Sequence, residues 1–335
     1  MNSKTIKEKA LQVGYTACGI IPAKPFEEYR KSLDERIAAY PQSKKAYDDL
    51  AGLVNPPEGA KSIIVCVLGY SQYKTPKSLA KSMGKHYLFD GRLTFSKEFR
   101  ANAEFETFLK VNRLGILDGG VPDRWAAVKA GLGKFGRNNF FYSDKHGSYA
   151  IVHTWSVEAE LEYDADPKDY MAKECSEGCL SCVAACPTKA MTGSLMMDRC
   201  SCAAQLTFDS DTHPNAEQRE QMGSWMYGCD VCQDVCPMND RKMTESENFP
   251  LMAEYEEFLQ PENVLEMDED TYKNILNPRF FYLGESGLWK WKCNALRVLV
   301  NEGDTKYHPL IKKYSHHEDS RIREVAEWGC KKLGL

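Results

Sequence analysis

The stretch "CSEGCLSCVAACP" (Cys175–Pro187) places four cysteines in thirteen positions, the last followed at once by proline. Further along, "GCDVCQDVCPMN" supplies Cys229, Cys232, Cys236 and Pro237. Both runs close on the same Cys-x2-Cys-x3-Cys-Pro spacing, at 179, 182 and 186 and again at 229, 232 and 236. Repeated runs of this kind mark two-cluster bacterial ferredoxins, where the last cysteine of each run crosses to the other cluster. Zinc sites use two pairs of ligands and lack the x3-Cys-Pro ending. The expectation is therefore two [4Fe–4S] clusters. One takes Cys175, Cys179, Cys182 and Cys236. The other takes Cys186, Cys229, Cys232 and a thiol from "DRCSCAAQLTF", where Cys202 and Cys200 both qualify. The gap from Cys175 to Cys179 is one residue longer than usual, and Gly178 eases the turn.

The rest of the composition agrees with this reading. The chain has 335 residues, 43% of them hydrophobic, enough for two or three domains. Its net charge of −5 argues against a general nucleic-acid binder. The longest apolar run, "IIVCVLGY" (63–70), is too short to span a bilayer. The N-terminal segment has no apolar signal core and reads as an amphipathic helix running into a strand. A cytoplasmic protein without membrane contact is expected, and there thirteen cysteines point to metal rather than disulfides. Cys18, Cys66, Cys293 and Cys330 lie in apolar runs and read as small buried hydrophobes.

"GLGKFG" (131–136) fits G-x-G-x-x-G, but a dinucleotide fingerprint follows a strand and opens a helix. Here "PDRWAAVKA" before it reads as a helix started by Pro122, and "NNFFYSDKHGSYAIVHTW" after it reads as strand–turn–strand. These glycines are expected to end a helix and to let backbone come close to a neighbour.

The order of these pieces resembles the epoxyqueuosine reductases, cobalamin-dependent iron–sulfur enzymes related to reductive dehalogenases. The resemblance rests on "GYTACGIIPA", "SIIVCVLGY", the AGLG-x-x-G-[KR]-N segment (Ala130–Asn138), "HGSYAIVHTW" and "GCDVCQDVCPMN". It is weak over Tyr73–Arg113 and in the tail. It implies an α/β fold in three parts: a cobalamin-binding α/β domain (1–165), a double [4Fe–4S] ferredoxin-like domain (166–245) and a helical, HEAT-like tail (246–335). It also implies an oxidoreductase whose clusters pass single electrons to cobalt from an external low-potential donor of ferredoxin or flavodoxin type. The substrate it implies is epoxyqueuosine in tRNA, the product queuosine. By position, Asp118 in "ILDGG" matches the family's proton donor; Asp123, in the first turn of the next helix, is the rival. This sequence is about one residue shorter before AGLG than the family pattern. Arg137 and Asn138 are candidates to bind the cofactor tail.

The tail reads as helices with apolar residues at three- and four-residue steps. From Gly287 onward it holds ten Lys/Arg against six Asp/Glu. That excess suggests phosphate contacts from Lys290, Lys292, Arg297, Lys312, Lys313 and Arg321. A monomer is expected. Two other functions fit the same sequence: a cobalamin-dependent reductase of a small molecule, and a non-catalytic iron–sulfur electron carrier.

Overall fold

The computed structural model describes residues 1–175, 178–209, 211 and 213–335. Ser176 and Glu177, the residues in the lengthened gap after Cys175, lie outside the described residues. The core sheet has three strands, β1 (Ala17–Pro22), β2 (Ser62–Gly69) and, later in the chain, β5 (Ala150–Val157). They pair in the order β1-β2-β5 and are antiparallel throughout. Two short strands, β3 (Lys134–Phe135) and β4 (Phe141–Tyr142), form a separate hairpin.

The central strand β2, "SIIVCVLG", is buried along its whole length. Alternate side chains point to opposite faces of a strand. Ile63, Val65 and Val67 pack with the helix Asp123–Lys129 and with Tyr29 and Leu33 of the helix Glu27–Ala39. Ile64, Cys66 and Leu68 pack with Ile6, Ala10, Phe105 and Leu109 from the helices Ser3–Val13 and Lys97–Val111. Helices on both faces explain why the strand has no polar alternation; each such aliphatic side chain contributes about 1.5–3 kcal/mol on burial. β5 is an edge strand, and beyond Val157 its edge is covered by the segment 115–117, through Leu117 N–H to Ser156 O at 2.9 Å.

The glycine-rich segment behaves as expected from its order. The helix Asp123–Lys129 begins after Pro122, and Gly131 (φ 71°) turns the chain out of it. A side chain at Gly133 would meet the carbonyl of Tyr142 at 2.2 Å, so only glycine lets β3 and β4 approach this closely.

The last part of the tail, from Leu288 onward, carries the α-helices Leu288–Glu302, His308–Tyr314 and Ser320–Leu333. Gly329 allows the first and last to touch, since a Cβ there would meet Val300 at 2.4 Å. The largest apolar cluster joins this tail to residues 70–93 through Tyr73, Phe89, Tyr227, Phe249 and Trp291. The expectation for the tail cations is corrected here. Lys290 and Arg297 are each 1% exposed and face the interior, because they fall on the buried stripe of the first tail helix. The Arg297 guanidinium donates to the carbonyls of Gly223 (2.7 Å) and Trp225, fixing the turn ahead of Cys229. Lys313 pairs with Glu266, and Arg321 pairs with Asp319 while lying over Trp289. Among the described residues no helix is long and apolar enough to cross a membrane.

Candidate active site

The two cysteine runs each enter a short helix, Ser181–Ala185 and Val231–Asp234, and these helices pack together. The thiols fall into two groups that mix the runs. Burial pushes the Cys182 thiol up, and so do its neighbours Cys175 and Cys236. Burial pushes Cys232 up as well, with Cys202, Cys229 and Cys186 beside it. Cys179 lies just ahead of the first helix, its thiol toward Ser181 Oγ at 3.9 Å. Cys202 caps the helix Ala203–Phe208, where the N–H groups of Ala204 and Gln205 face its sulfur. Cys200 instead turns its thiol to the carbonyl of Gln42 at 3.3 Å. Among the described residues no three His, Cys, Asp or Glu converge on a position for one ion; a four-iron cube spreads its thiolates over separate corners. Buried thiols resist ionisation, and bound iron supplies the positive charge that offsets this. The donor set therefore suits two clusters.

Arg137 and Asn138, the candidates for the cofactor tail, lie beside the cysteine runs. Neither lines the large cavity described below; ahead of the left-handed Asn139 (φ 66°), the Arg137 backbone N–H and the Asn138 side chain meet the cysteine runs. The Arg137 N–H donates to Cys175 Sγ at 3.2 Å. Asn138 Nδ2 donates to Tyr142 Oη (2.8 Å) and to the carbonyl of Cys232 (3.0 Å). Tyr142, its hydroxyl pushed up by burial, bonds in turn to Cys236. Asn138 and Tyr142 thus connect the two thiol groups.

A cavity of about 570 Å³ opens beside the edge strand β5, whose residues Ala150, Ile151, Val152 and His153 line it. Leu50, Leu53, Val121, Phe135, Phe141 and Val152 give it apolar walls. Ser148 in its wall donates to Gln233 Oε1 (2.8 Å), a side chain lying between Cys232 and Cys236 in sequence. Arg36, Arg92, Arg124 and Arg199 also line it, against one lining carboxylate among the described residues, Asp123. Asp123 keeps a face open to the cavity while protein encloses it elsewhere. That burial raises its carboxyl above the ordinary range, although the Thr154 hydroxyl (2.7 Å) and Arg124 pull the other way. Burial lowers His86, and lowers His153 to about 4, so both rings are neutral at pH 7. His153 Nδ1 bonds to the Tyr15 hydroxyl at 2.8 Å, and its Nε2 is buried without a partner.

Asp118, the residue that matches the family's proton donor by position, lies on the loop after Leu117. It is exposed and outside the cavity, because the chain leaves the β5 edge at Leu117 and crosses Pro57 and Leu53 through Gly119 and Gly120. Sequence reading missed Arg36, His86, Arg92 and Arg199. Arg36 did leave a signal: it sits on the buried stripe Tyr29, Ser32, Leu33, Arg36 of its helix, where a charge needs a reason.

Residues 174–239 match the model of a 4Fe-4S double cluster binding domain. A curated epoxyqueuosine reductase of Leadbetterella byssophila is 32% identical over 251 residues, covering 71% of this chain and 80% of the relative. The chain belongs to the epoxyqueuosine reductase family. Solved epoxyqueuosine reductases share its fold. One, crystallised with an epoxyqueuosine-modified tRNA-Tyr stem loop, superposes with a TM-score of 0.78 at 24% identity, covering 99% of this chain and 90% of the other. Another, from Bacillus subtilis with its catalytic aspartate loop swung out of the active site, gives 0.77 at 23%, covering 98% and 90%.

Proposed function

We propose that this protein reduces epoxyqueuosine to queuosine in tRNA, using two [4Fe–4S] clusters and a cobalamin held in the 570 Å³ cavity. The observation that carries the reading is the cavity's position, with its wall bonded directly into the helix of the second cysteine run through Ser148 and Gln233. The eight thiolates are Cys175, Cys179, Cys182 and Cys236 for one cluster, and Cys186, Cys202, Cys229 and Cys232 for the other. Cobalamin supplies the two-electron chemistry at the carbon–oxygen bond. The epoxide oxygen leaves as water, which consumes two electrons and two protons and leaves a carbon–carbon double bond.

This chain must deliver a proton to that oxygen and exclude water. Asp118 is the donor in this proposal. It stands on a loop with glycines at 119 and 120 (Gly119 φ 125°), and in the B. subtilis relative a catalytic aspartate loop is found swung out. Closing the loop brings Asp118 to the cavity that Asp123 already faces. Burial raises the Asp123 carboxyl above the ordinary range, against the pull of the Thr154 hydroxyl and Arg124. Tyr282, which lines the cavity, stacks on Phe281 at 5.1 Å, and Arg92 lies over both rings, at 5.4 and 4.7 Å. Such aromatic–guanidinium surfaces receive unstacked bases of single-stranded RNA loops. Turnover of an epoxyqueuosine-modified tRNA stem loop by the cluster- and cobalamin-loaded protein, compared with the free nucleoside, tests the reading. Equal turnover of both would favour a small-molecule reductase.

A further inference from the structure

Three arginines far apart in sequence meet in the cavity wall. Arg36 and Arg199 both lie over the Tyr47 ring, at 5.9 and 6.0 Å from its centroid. Arg36 is 4% exposed; it donates to the carbonyl of Leu195 (2.7 Å) and to Asn139 Oδ1 (3.0 Å). Arg124 donates to the carbonyl of Asn139 (2.5 Å), and Arg199 to Gln205 Oε1 (2.9 Å). All these acceptors are neutral. Arg199 Nε is buried without a partner. A guanidinium carries five N–H donors in a rigid fork and stays charged in proteins. Burial depresses Arg36 and Arg124, and Arg199 adds like-charge repulsion to both. Asp123, the one lining carboxylate among the described residues, does not balance three cations.

We infer that Arg36, Arg124 and Arg199 form a subsite for a phosphodiester group. Converging forks match the several oxygens of such an anion, and an enclosed site makes the match stronger than in water. Two ligands of this enzyme carry the group: the nucleotide loop of the cobalamin, and the tRNA backbone. The inference rests on the cofactor placement proposed above. Arg36 is buried against Leu195 and Asn139, and Arg124 bonds the same Asn139, so the cluster is tied into the cavity wall, which favours the cofactor's loop.

The experiment titrates anaerobic, cluster-loaded full-length protein with cobalamin and with cobinamide, which lacks the nucleotide loop. Binding is followed by the corrinoid absorption spectrum. A lost charge-assisted contact corresponds to roughly tenfold or more in affinity. Arg199→Gln and Arg124→Gln are each expected to weaken cobalamin binding by about tenfold or more while leaving cobinamide binding within about twofold. Arg36→Lys, which keeps the charge, covers the case in which loss of the Leu195 and Asn139 bonds unfolds the chain. A second arm titrates the same variants with the modified stem loop. If only that affinity falls, by a similar factor, the phosphodiester belongs to the tRNA. Variants that bind cobalamin, cobinamide and stem loop like the wild type overturn the subsite. A wild type that binds neither corrinoid removes the cofactor placement instead, and the stem-loop arm alone then decides the arginines.

Discussion

Replacing Cys236 by serine separates crossed ligation from ligation run by run. Cys236 belongs by sequence to the second run, yet its sulfur neighbours Cys182 and the Tyr142 hydroxyl. In the crossed arrangement one four-iron cluster loses one of its four thiolates and the other keeps all of its own. Iron should fall from about eight per chain to between about four and seven, depending on whether the damaged cluster sheds one iron or dissolves. The fold should tolerate the change, because serine is close in shape and Asn138 still bonds Tyr142 at 2.8 Å. The assay is iron and sulfide analysis with EPR of the dithionite-reduced protein, run beside Cys179→Ser, Cys229→Ser and the pairwise doubles. Cys236→Ser and Cys179→Ser should produce the same lesion, and their double no further loss. Cys236→Ser with Cys229→Ser should add, since the two lesions fall on different clusters. The reverse pattern, with Cys236 matching Cys229 and adding to Cys179, refutes the crossed arrangement.

Asp118→Asn should lower turnover by about 10²–10⁴-fold while cobalamin and cluster spectra persist; Asp123→Asn keeps a partner for Thr154 and should lose much less, and the opposite order in single-turnover measurements would make Asp123 the donor. His146, pushed down by burial to about 4 and bonded through Nδ1 to Ser71 at 2.8 Å, stays neutral in the fold while the unfolded chain takes up a proton below about 6.5. Stability should therefore fall as pH drops from 6.5 toward 4, by up to about 3 kcal/mol from this residue, and His146→Asn should flatten that slope in denaturant melts. Arg297→Met leaves the carbonyls of Gly223 and Trp225 without their donor; a cost of about 2–4 kcal/mol is expected in denaturant melts, with weakened iron retention by the Cys229 group.

Cluster chemistry was legible because a cluster's ligands are written as short-range spacing. The Cys-x2-Cys-x3-Cys-Pro runs and the helix–glycine–hairpin order around Gly131 needed no distant partner to be read. β2 was legible for a similar reason, since an unbroken apolar run of strand length signals burial on both faces. The cavity was not. Arg36, Arg124 and Arg199 come from three separate segments, and nothing local says that they converge. The contacts of Arg137 and Asn138 with the cysteine runs were not legible either, because sequence order does not show which neighbour the segment ahead of the left-handed Asn139 meets. Lys290 and Arg297 looked like surface cations by count, whereas helix phase places them inside.

The most direct test of the central claim is a mass measurement. Full-length protein, loaded anaerobically with clusters and cobalamin and supplied with a low-potential reductant, is incubated with an epoxyqueuosine-modified tRNA stem loop, and the nucleoside is then analysed. The account predicts loss of one oxygen atom from the modified base, dependent on cobalamin and abolished in Cys232→Ser. An unchanged nucleoside, with both clusters reduced and cobalamin bound, would contradict it.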